Sequence, residues 1–520
     1  MQDVFSSIIF LVPEEWIVTL IFLLPTLGAI ITFLIAKIAS NKLAKWFTLL
    51  TTLFLFILSL IAFLQFEETT RVLTGGGMTY SLYQEIEWIT QLNISYRVGV
   101  DGLSLPLVIL STFITLVAVI ASWDREDRVG SYFALVLLLE TGLIGTFVTL
   151  DMFFFFICWE IVLVPMFFLI GIWGGKRREY ASIYFFIYTH VASLILLLGL
   201  LGIYLQTNTF SIVDSASIIQ NLGSSGITVL LFIALFLGFI VKVPIVPFHS
   251  WLPLAHVEAP SPISMILAGL LLKMGGYGLI RFNLGFFPDV FKDFAVIIAV
   301  IGIISLFWGG FVALKQTDLK RLVAYSSIAH MGMVLFGAAA TAATGRPEGL
   351  IGAQIMMLSH GIISPLLFNL SGVVQHSVGT REIESLRGIT QKFPGYAALL
   401  VFASFASLGL PSLFGFISEL YVFLGAFAWT DYFTIAGIGF PLLAFIAVFG
   451  VVVTVGFYLW MLQRVVWGEA TTSVVNAHGI QKWEFVAPVL MLIPILVLGI
   501  FPQLVITPMQ ATFESFASLF

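Results

Sequence analysis

Residues 241–282 read VKVPIVPFHSWLPLAHVEAPSPISMILAGLLLKMGGYGLIRF. Lys242 is followed closely by Pro244 and Pro247, and a proline removes a backbone donor and kinks or breaks a helix. A second apolar run, which exceeds the roughly 20 residues that cross a bilayer, then surrounds Lys273. The stretch therefore predicts an interrupted membrane helix followed by a continuous one, each with a lysine in apolar surroundings.

The composition of the whole chain agrees with a membrane protein. Of its 520 residues, 60% are hydrophobic and only 10% are charged, and the mean hydropathy is +1.08. These values lie far outside the range of soluble globular proteins. Runs long enough to span a bilayer recur about fourteen times between residues 16 and 506. We therefore predict an all-α polytopic membrane protein with about 14 transmembrane helices, and a short hairpin or amphipathic element at 67–101.

The charges and motifs exclude several functional classes. The net charge is -5 and no Lys/Arg-rich tail is present, so no nucleic-acid partner is expected. The single cysteine, Cys158, cannot by itself build a disulfide framework, a zinc site or an iron–sulfur cluster. No Rossmann or P-loop fingerprint occurs, so we expect no cofactor on this chain and no nicotinamide or flavin site.

The basic residues predict the orientation. Of the 23 Lys and Arg, 16, including Lys320, fall in loops on one side. Five, including Arg71 and Arg281, fall on the other side, and two lie within helices. Cytoplasmic loops are rich in basic residues, so both termini are predicted on the outer, lumenal or periplasmic, side. The first residues carry Asp3 and Glu14 and no basic region, so no cleaved signal peptide is expected.

Ionisable side chains recur near the middle of the predicted helices. Glu140 lies 11 residues before the turn at Asp151 and Glu160 nine after it, which at 1.5 Å per residue places both carboxylates roughly 14 to 17 Å deep. The same counting adds Lys242, Lys273, His330, His360 and Glu419. Because a charge at the centre of a spanning helix costs about 2.5 to 3.5 kcal/mol, such groups usually face a partner or a water-filled path. We predict that these seven groups, here called the row, form a proton path.

A structural alternative stays open for each of these groups. Charged residues can pair merely to hold helices together, and a histidine within a helix can be a satisfied interior hydrogen-bonding group. The sequence leaves the role of His190 undecided. Asp151, His249 and His376 lie near helix ends, where polar residues are ordinary.

A second interruption predicts an internal repeat. Gly409 and Pro411 stand just before Glu419, as Pro244 and Pro247 stand just after Lys242. Non-helical backbone at membrane depth is tolerated only where protein or a cavity covers it. The breaks fall in the predicted helices 7 and 12, which indicates two inverted five-helix repeats, helices 4 to 8 and 9 to 13. The segments are then 1–125, 126–283, 284–470 and 471–520. Prolines that only kink ordinary helices are the alternative.

Five stretches resemble a known family in their order and spacing. They are FFFFICWEIVLVPMFFLIGIWG at 153–174, the opening stretch at 241–282, DLKRLVAYSSIAHMG at 318–332, MLSHGIISPLLF at 357–368 and SLGLPSLFGFISELYVF at 407–423. The sequence is similar to chain 4 of NAD(P)H-quinone oxidoreductase, the antiporter-like membrane subunit of respiratory complex I. The resemblance covers most of the chain from about residue 100 to 470.

The resemblance implies a fourteen-helix proton-pumping subunit in a membrane arm, part of a translocase with no redox active site of its own. By motif, Glu160 and Lys242 match the family's essential pair, Lys273 its central lysine, and His330 and His360 its connecting histidines. Glu419 matches its terminal glutamate, where the related subunit at the end of the arm has a lysine. Quinone, NAD(P)H or ferredoxin and iron–sulfur clusters are expected in partner subunits. Glu160 would control the protonation of Lys242 by approaching or withdrawing.

Two details bear on which member of the family this is. Many members have an acid where this chain has Leu254, which puts proton entry at that position in doubt. The overall likeness is to cyanobacterial and chloroplast forms, which reduce plastoquinone with ferredoxin; this implies a thylakoid or bacterial inner membrane. The Leu254 departure is consistent with a variant for carbon dioxide uptake with a carbonic-anhydrase-like partner. A multi-subunit cation/proton antiporter and a purely structural subunit are the rival hypotheses.

Overall fold

The computed structural model describes residues 13–66, 72–430, 434–435, 438–439 and 441–520. The helices of the first half are α1 (Glu14–Ile38), α2 (Asn41–Gln65), α3 (Ser104–Ala121), α4 (Val129–Val148), α5 (Met152–Trp173), α6 (Arg178–Thr207), α7 (Ile212–Gln220), α8 (Gly226–Lys242), α9 (Trp251–Glu258) and α10 (Ser261–Leu284). Those of the second half are α11 (Pro288–Asp293), α12 (Ala295–Leu314), α13 (Leu319–Thr344), α14 (Glu348–Val378), α15 (Pro394–Ser407), α16 (Phe414–Phe427), α17 (Leu442–Val466), α18 (Thr472–Val475), α19 (Lys482–Ile500) and α20 (Gln503–Ala517).

Within the described residues, twelve of these helices are long and apolar enough to cross a membrane. The predicted all-α polytopic membrane fold is confirmed. Two further apolar paths are interrupted: the first between α8 and α9, where Pro244 and Pro247 lie, and the second between α15 and α16, where Gly409 and Pro411 lie. The total of about 14 helices, the inverted repeats and the four segments stay predictions.

The most deeply buried helices form the centre of the fold. The apolar windows of α10 and α14 are 100% buried inside the chain and that of α13 is 94% buried, whereas α2 and α17 expose most of theirs. Lys273 lies on α10, His330 on α13 and His360 on α14. The central helices therefore hold three of the predicted ionisable groups away from lipid.

A small antiparallel sheet follows α2. It consists of β1 (Val72–Gly75), β2 (Met78–Ile89) and β3 (Ile94–Val100), and a separate two-stranded ribbon is formed by β4 (Thr434–Ile435) and β5 (Ile438–Gly439). Gly76 and Gly77, both with positive φ, join β1 to β2, as a two-residue hairpin turn requires. The predicted hairpin at 67–101 is confirmed where it is described. Arg71 and residues 1–12, with the expected absence of a signal peptide, lie outside the described residues.

The buried pair of Arg281 and Asp101 ties the sheet to the centre of the bundle. Neither side chain is exposed, and Arg281 Nη2 lies 2.5 Å from Asp101 Oδ2. The guanidinium also donates to the hydroxyls of Tyr80 and Tyr277, at 3.2 and 3.3 Å. The sequence assigned Arg281 to the outer loops. The structure instead places it in the last turns of α10, fully paired, because Asp101 meets it from the end of the sheet.

Candidate functional site

The centre of the site is a direct contact between a lysine and a histidine. Lys273 is 0% exposed, and its Nζ lies 2.7 Å from His360 Nδ1. The same ammonium group donates to the carbonyl oxygen of Ala268 at 2.6 Å. Ala268 belongs to a π-helical turn, Leu267–Leu271, within α10. Such turns occur often at functional sites, and this one directs a carbonyl, five residues before the lysine, toward its side chain.

His330 is the next ionisable group beside His360. Nε2 of His360 lies 3.0 Å from Ser327 Oγ, and the two imidazole rings are 5.4 Å apart between centroids. Nδ1 of His330 faces the carbonyl of Ser326 at 2.8 Å, and its Nε2 faces that of Ser407 at 3.1 Å. Because carbonyl oxygens only accept hydrogen bonds, a ring protonated on both nitrogens is needed to satisfy both contacts. The surroundings of His330 can therefore hold an extra proton.

A small cavity connects both histidines with Glu419. Its volume is about 10 Å³, and its lining includes His330, Ser359, His360 and Glu419. One water molecule needs about this much space and two or more polar partners. Protons move readily along hydrogen-bonded water, and the cavity has room for one water molecule between the histidines and the carboxyl group. The side chain of Glu419 is only partly buried, so this end of the site is accessible from the surface of the protein.

The interruption before α16 makes room for the Glu419 carboxyl group. Gly409 has φ +79°, a conformation that residues with a side chain rarely adopt. A methyl group on Gly409 would overlap Oε2 of Glu419 and lie 3.2 Å from Oε1. A side chain at position 409 would therefore strain the backbone and push the Glu419 carboxyl group aside.

We predict that Gly409→Ala displaces Glu419 and lowers proton translocation by about tenfold, the effect of roughly 1.4 kcal/mol on a barrier. Gly379→Ala is the matched control, because Gly379 has the similar φ of +81° but nothing within 4 Å of the added methyl group. Translocation is measured with both variants in the reconstituted complex. Equal rates for the two would show that the carboxyl position next to Gly409 is unimportant.

At the other end of the row, Glu160 and Lys242 do not contact each other, and each contacts another residue instead. Lys242 is 2% exposed, and its Nζ lies 3.8 Å from the centroid of the Trp159 ring and 3.5 Å from the Trp159 carbonyl oxygen. Glu160 Oε2 instead lies 3.0 Å from His190 Nδ1. No ion pair within 4 Å joins Glu160 to Lys242 in the described part of the chain, although the two are within electrostatic reach. Their switching role stays a prediction.

Glu140 has no hydrogen bond to the other six groups of the row among the described residues. It is 0% exposed, and neither of its carboxyl oxygens has a hydrogen-bond partner among the described residues. The structure therefore buries it as predicted but does not connect it by a hydrogen bond to the other predicted groups.

The three polar residues set aside at helix ends have local partners. Asp151 caps α5 by accepting from the amides of Phe153 and Phe154. His249 accepts from the indole N–H of Trp308 at 3.2 Å, and His376 lies 2.9 Å from a carboxyl oxygen of Glu484. Each contact is a sufficient structural reason for the residue.

The comparison with known proteins identifies the family. The model of the family described as "NADH:quinone oxidoreductase/Mrp antiporter, TM" matches residues 149–459, more than half of the chain. The chain belongs to this family. It is an integral, multi-pass membrane protein.

Individual members of the quinone oxidoreductase/antiporter family are similar over nearly the whole chain. NAD(P)H-quinone oxidoreductase chain 4 1 of Picosynechococcus sp. is 39% identical over 500 residues, which cover 95% of this chain and 90% of that protein. F(420)H(2) dehydrogenase subunit M of Methanosarcina mazei is 35% identical over 512 residues, covering 97% and 98%. A chain of respiratory complex I from Thermus thermophilus with bound NADH superposes with a TM-score of 0.84 at 27% identity, covering 96% and 99%.

Sequence reasoning about this family member missed three residues near the row. Trp159, beside Lys242, was hidden by its apolar surroundings. His256 lies seven residues after His249 in the opening stretch and is 0% exposed. Lys320, counted as a loop residue, is 1% exposed and donates to the Ala259 carbonyl oxygen at 2.5 Å. A second histidine among apolar residues was the available signal for His256; burial of Lys320 depends on distant helices and had none.

Proposed function

We propose that this chain is a proton-translocating membrane-arm subunit of a quinone oxidoreductase. The observation that supports this best is the buried contact of Lys273 with His360, continued by a water-sized cavity to Glu419. Such an arrangement is costly in apolar surroundings and is usually kept for function. The relatives that are named as subunits of quinone oxidoreductases support the same function. Redox chemistry in partner subunits supplies the free energy, with the quinone, the electron donor and iron–sulfur clusters held there.

The direction of transport in this proposal follows from the predicted orientation. Protons enter from the cytoplasmic side, pass Lys242, Lys273, His360 and His330, and leave by Glu419 toward the lumen or periplasm. Glu160 governs the proton affinity of Lys242 by moving between it and His190. Glu140 is a further proton-binding group of the path, although no hydrogen bond joins it to the other groups among the described residues.

Glu419→Gln tests the exit of this path. Glutamine has nearly the same size and shape as glutamate but has no titratable carboxyl group. We expect quinone-driven proton translocation in proteoliposomes to fall by at least about tenfold. The control is Glu469→Gln, because Glu469 is an exposed acid outside the site. Full translocation by the Glu419→Gln complex would remove Glu419 from the path.

A cation/proton antiporter subunit is the second candidate, because the matching family model includes Mrp antiporters. Transport that depends on sodium, and purification with small antiporter subunits instead of redox subunits, would favour it. Purification under mild detergent also tests the carbon dioxide variant. A carbonic-anhydrase-like partner would support that variant, and Leu254, partly buried against the core in α9, is the residue that suggested it.

A further inference from the structure

Both contacts of the Lys242 ammonium group come from one uncharged residue. Lys242 is the last residue of α8 and is 2% exposed. Its Nζ lies over the face of the Trp159 indole, 3.8 Å from the ring centroid. Its hydrogen bond to the Trp159 carbonyl oxygen is 3.5 Å long, which exceeds the ordinary length of such bonds. The aromatic face is therefore the better partner of this buried charge.

The Trp159 ring is fixed by contacts with two other helices. The residue is 1% exposed, and its indole N–H donates to Ser193 Oγ on α6 at 3.0 Å. The hydroxyl of Ser193 in turn donates to the Thr189 carbonyl oxygen at 3.1 Å, which leaves its own oxygen free to accept. Phe239 of α8 packs edge-on against the indole, with 5.5 Å between centroids and 77° between the ring planes. These contacts keep one face of the indole toward Lys242.

Trp159 and Glu160 are consecutive on α5 but their side chains have different neighbours. Successive residues of a helix are rotated by about 100°, and Glu160 Oε2 lies 3.0 Å from His190 Nδ1 on α6. Glu160 is the charged group within electrostatic reach of Lys242, whereas Lys273 on α10 has its own contacts. Lys242 therefore keeps the ring as a partner while the carboxylate is paired with the histidine.

An aromatic face distinguishes the two forms of a lysine side chain. The electrons of the ring attract a cation, and the attraction is strongest for tryptophan and for groups removed from water. A neutral amine lacks the charge on which this attraction depends. The ring also exchanges no proton, so it cannot take the proton from the lysine as a carboxylate can. Trp159 can therefore bind the charged form of Lys242 and release the side chain when the proton leaves.

We infer that Trp159 is a positioning residue for Lys242, and that its ring face holds the charged lysine beside the helix interruption while Glu160 is paired elsewhere. When Lys242 passes its proton along the row, the neutral amine loses this attraction and the side chain is free to move. The fixed ring thus determines where the lysine waits with its proton, and Ser193 determines the direction of the ring. This inference rests on the proposed function.

Replacing Trp159 with leucine removes the aromatic face and keeps an apolar side chain. We expect proton translocation in proteoliposomes to fall about tenfold. The pH above which the rate declines should also fall by about one unit, because the charged lysine loses a stabilising contact and one unit is a tenfold change in proton affinity. A purely structural role would lower the rate at every pH without moving this decline. Trp159→Phe keeps a weaker aromatic face, so we expect a smaller shift.

Trp173→Leu is the matched control. Trp173 lies on the same helix and is 7% exposed, but its indole N–H donates to the Asp127 carbonyl oxygen and its ring packs against Tyr132. Its replacement should leave the alkaline decline at its normal pH. An alkaline decline at the normal pH in the assembled Trp159→Leu complex would overturn the inference. If Trp159→Leu does not assemble, the alkaline decline of Trp159→Phe decides in the same way.

Lys242→Met distinguishes failure of this inference from failure of the proposed function. If Lys242→Met stops translocation while Trp159→Leu changes neither the rate nor its pH profile, the proton path stands and the role inferred for Trp159 is wrong. If the Lys242→Met complex translocates protons normally, Lys242 is not on the path, and the proposed function fails at its entry.

Discussion

Replacing Arg281 with methionine is expected to destabilise the protein by about 3–5 kcal/mol, because removing one partner of a buried ion pair leaves the other charge uncompensated. Asp101 would remain at 0% exposure, 2.5 Å from where the guanidinium was. The tyrosine hydroxyls of Tyr80 and Tyr277 would lose their donor as well. The measurement is the thermal unfolding of the detergent-solubilised complex, followed through the loss of the monodisperse species.

A second substitution checks the cause. Asp101→Asn removes the stranded charge but keeps an oxygen that can accept from the amides of Leu103 and Ser104, where Asp101 now caps α3. The double variant should therefore recover part of the lost stability. Arg346→Met serves as the control, because Arg346 is exposed. Equal unfolding temperatures for Arg281→Met and Arg346→Met would show that the buried pair contributes little.

The parts of the fold that could be predicted depend on local chemistry. A proline removes a backbone donor, so the closely spaced Pro244 and Pro247 and the pair of Gly409 and Pro411 indicated the two gaps without any tertiary information. A single proline can remain inside a helix, as Pro365 does. The transmembrane spans could be predicted in the same way, from the length of each apolar run. The turn of the hairpin was also predictable from local sequence, because Gly76 and Gly77 favour a tight turn. The position of Lys273 in an apolar run likewise marked it as a candidate residue of the proton path.

The contacts between helices could not be predicted, because they depend on packing between distant segments. Arg281 and Asp101 are 180 residues apart in sequence, and nothing local distinguishes Arg281 from a loop arginine. Glu160 was expected beside Lys242, whereas the structure turns one oxygen to His190 on α6, whose role the sequence had left undecided. The direction of a side chain on its helix decides such pairing, and helical spacing alone does not fix the neighbour.

The proposed proton path depends most on Lys273. Lys273 is the most buried cation of the predicted path, and its side chain contacts His360 and the Ala268 carbonyl oxygen. Methionine has a similar length and no charge, and the two hydrogen-bond partners of Lys273 are a histidine and a backbone carbonyl, so the substitution leaves no carboxylate charge unpaired, unlike Arg281→Met. Lys273→Met should therefore assemble normally and remove only the proton-binding amine. Lys315→Met, at an exposed lysine, is the control.

The most direct test is quinone-driven proton translocation by proteoliposomes that contain the complex with Lys273→Met. We expect an assembled complex whose translocation is lower by about a hundredfold, the smaller end of what a positioned proton-transfer group contributes, while the Lys315→Met complex translocates normally. An assembled Lys273→Met complex that translocates protons at the rate of the Lys315→Met complex would show that Lys273 is not on the proton path.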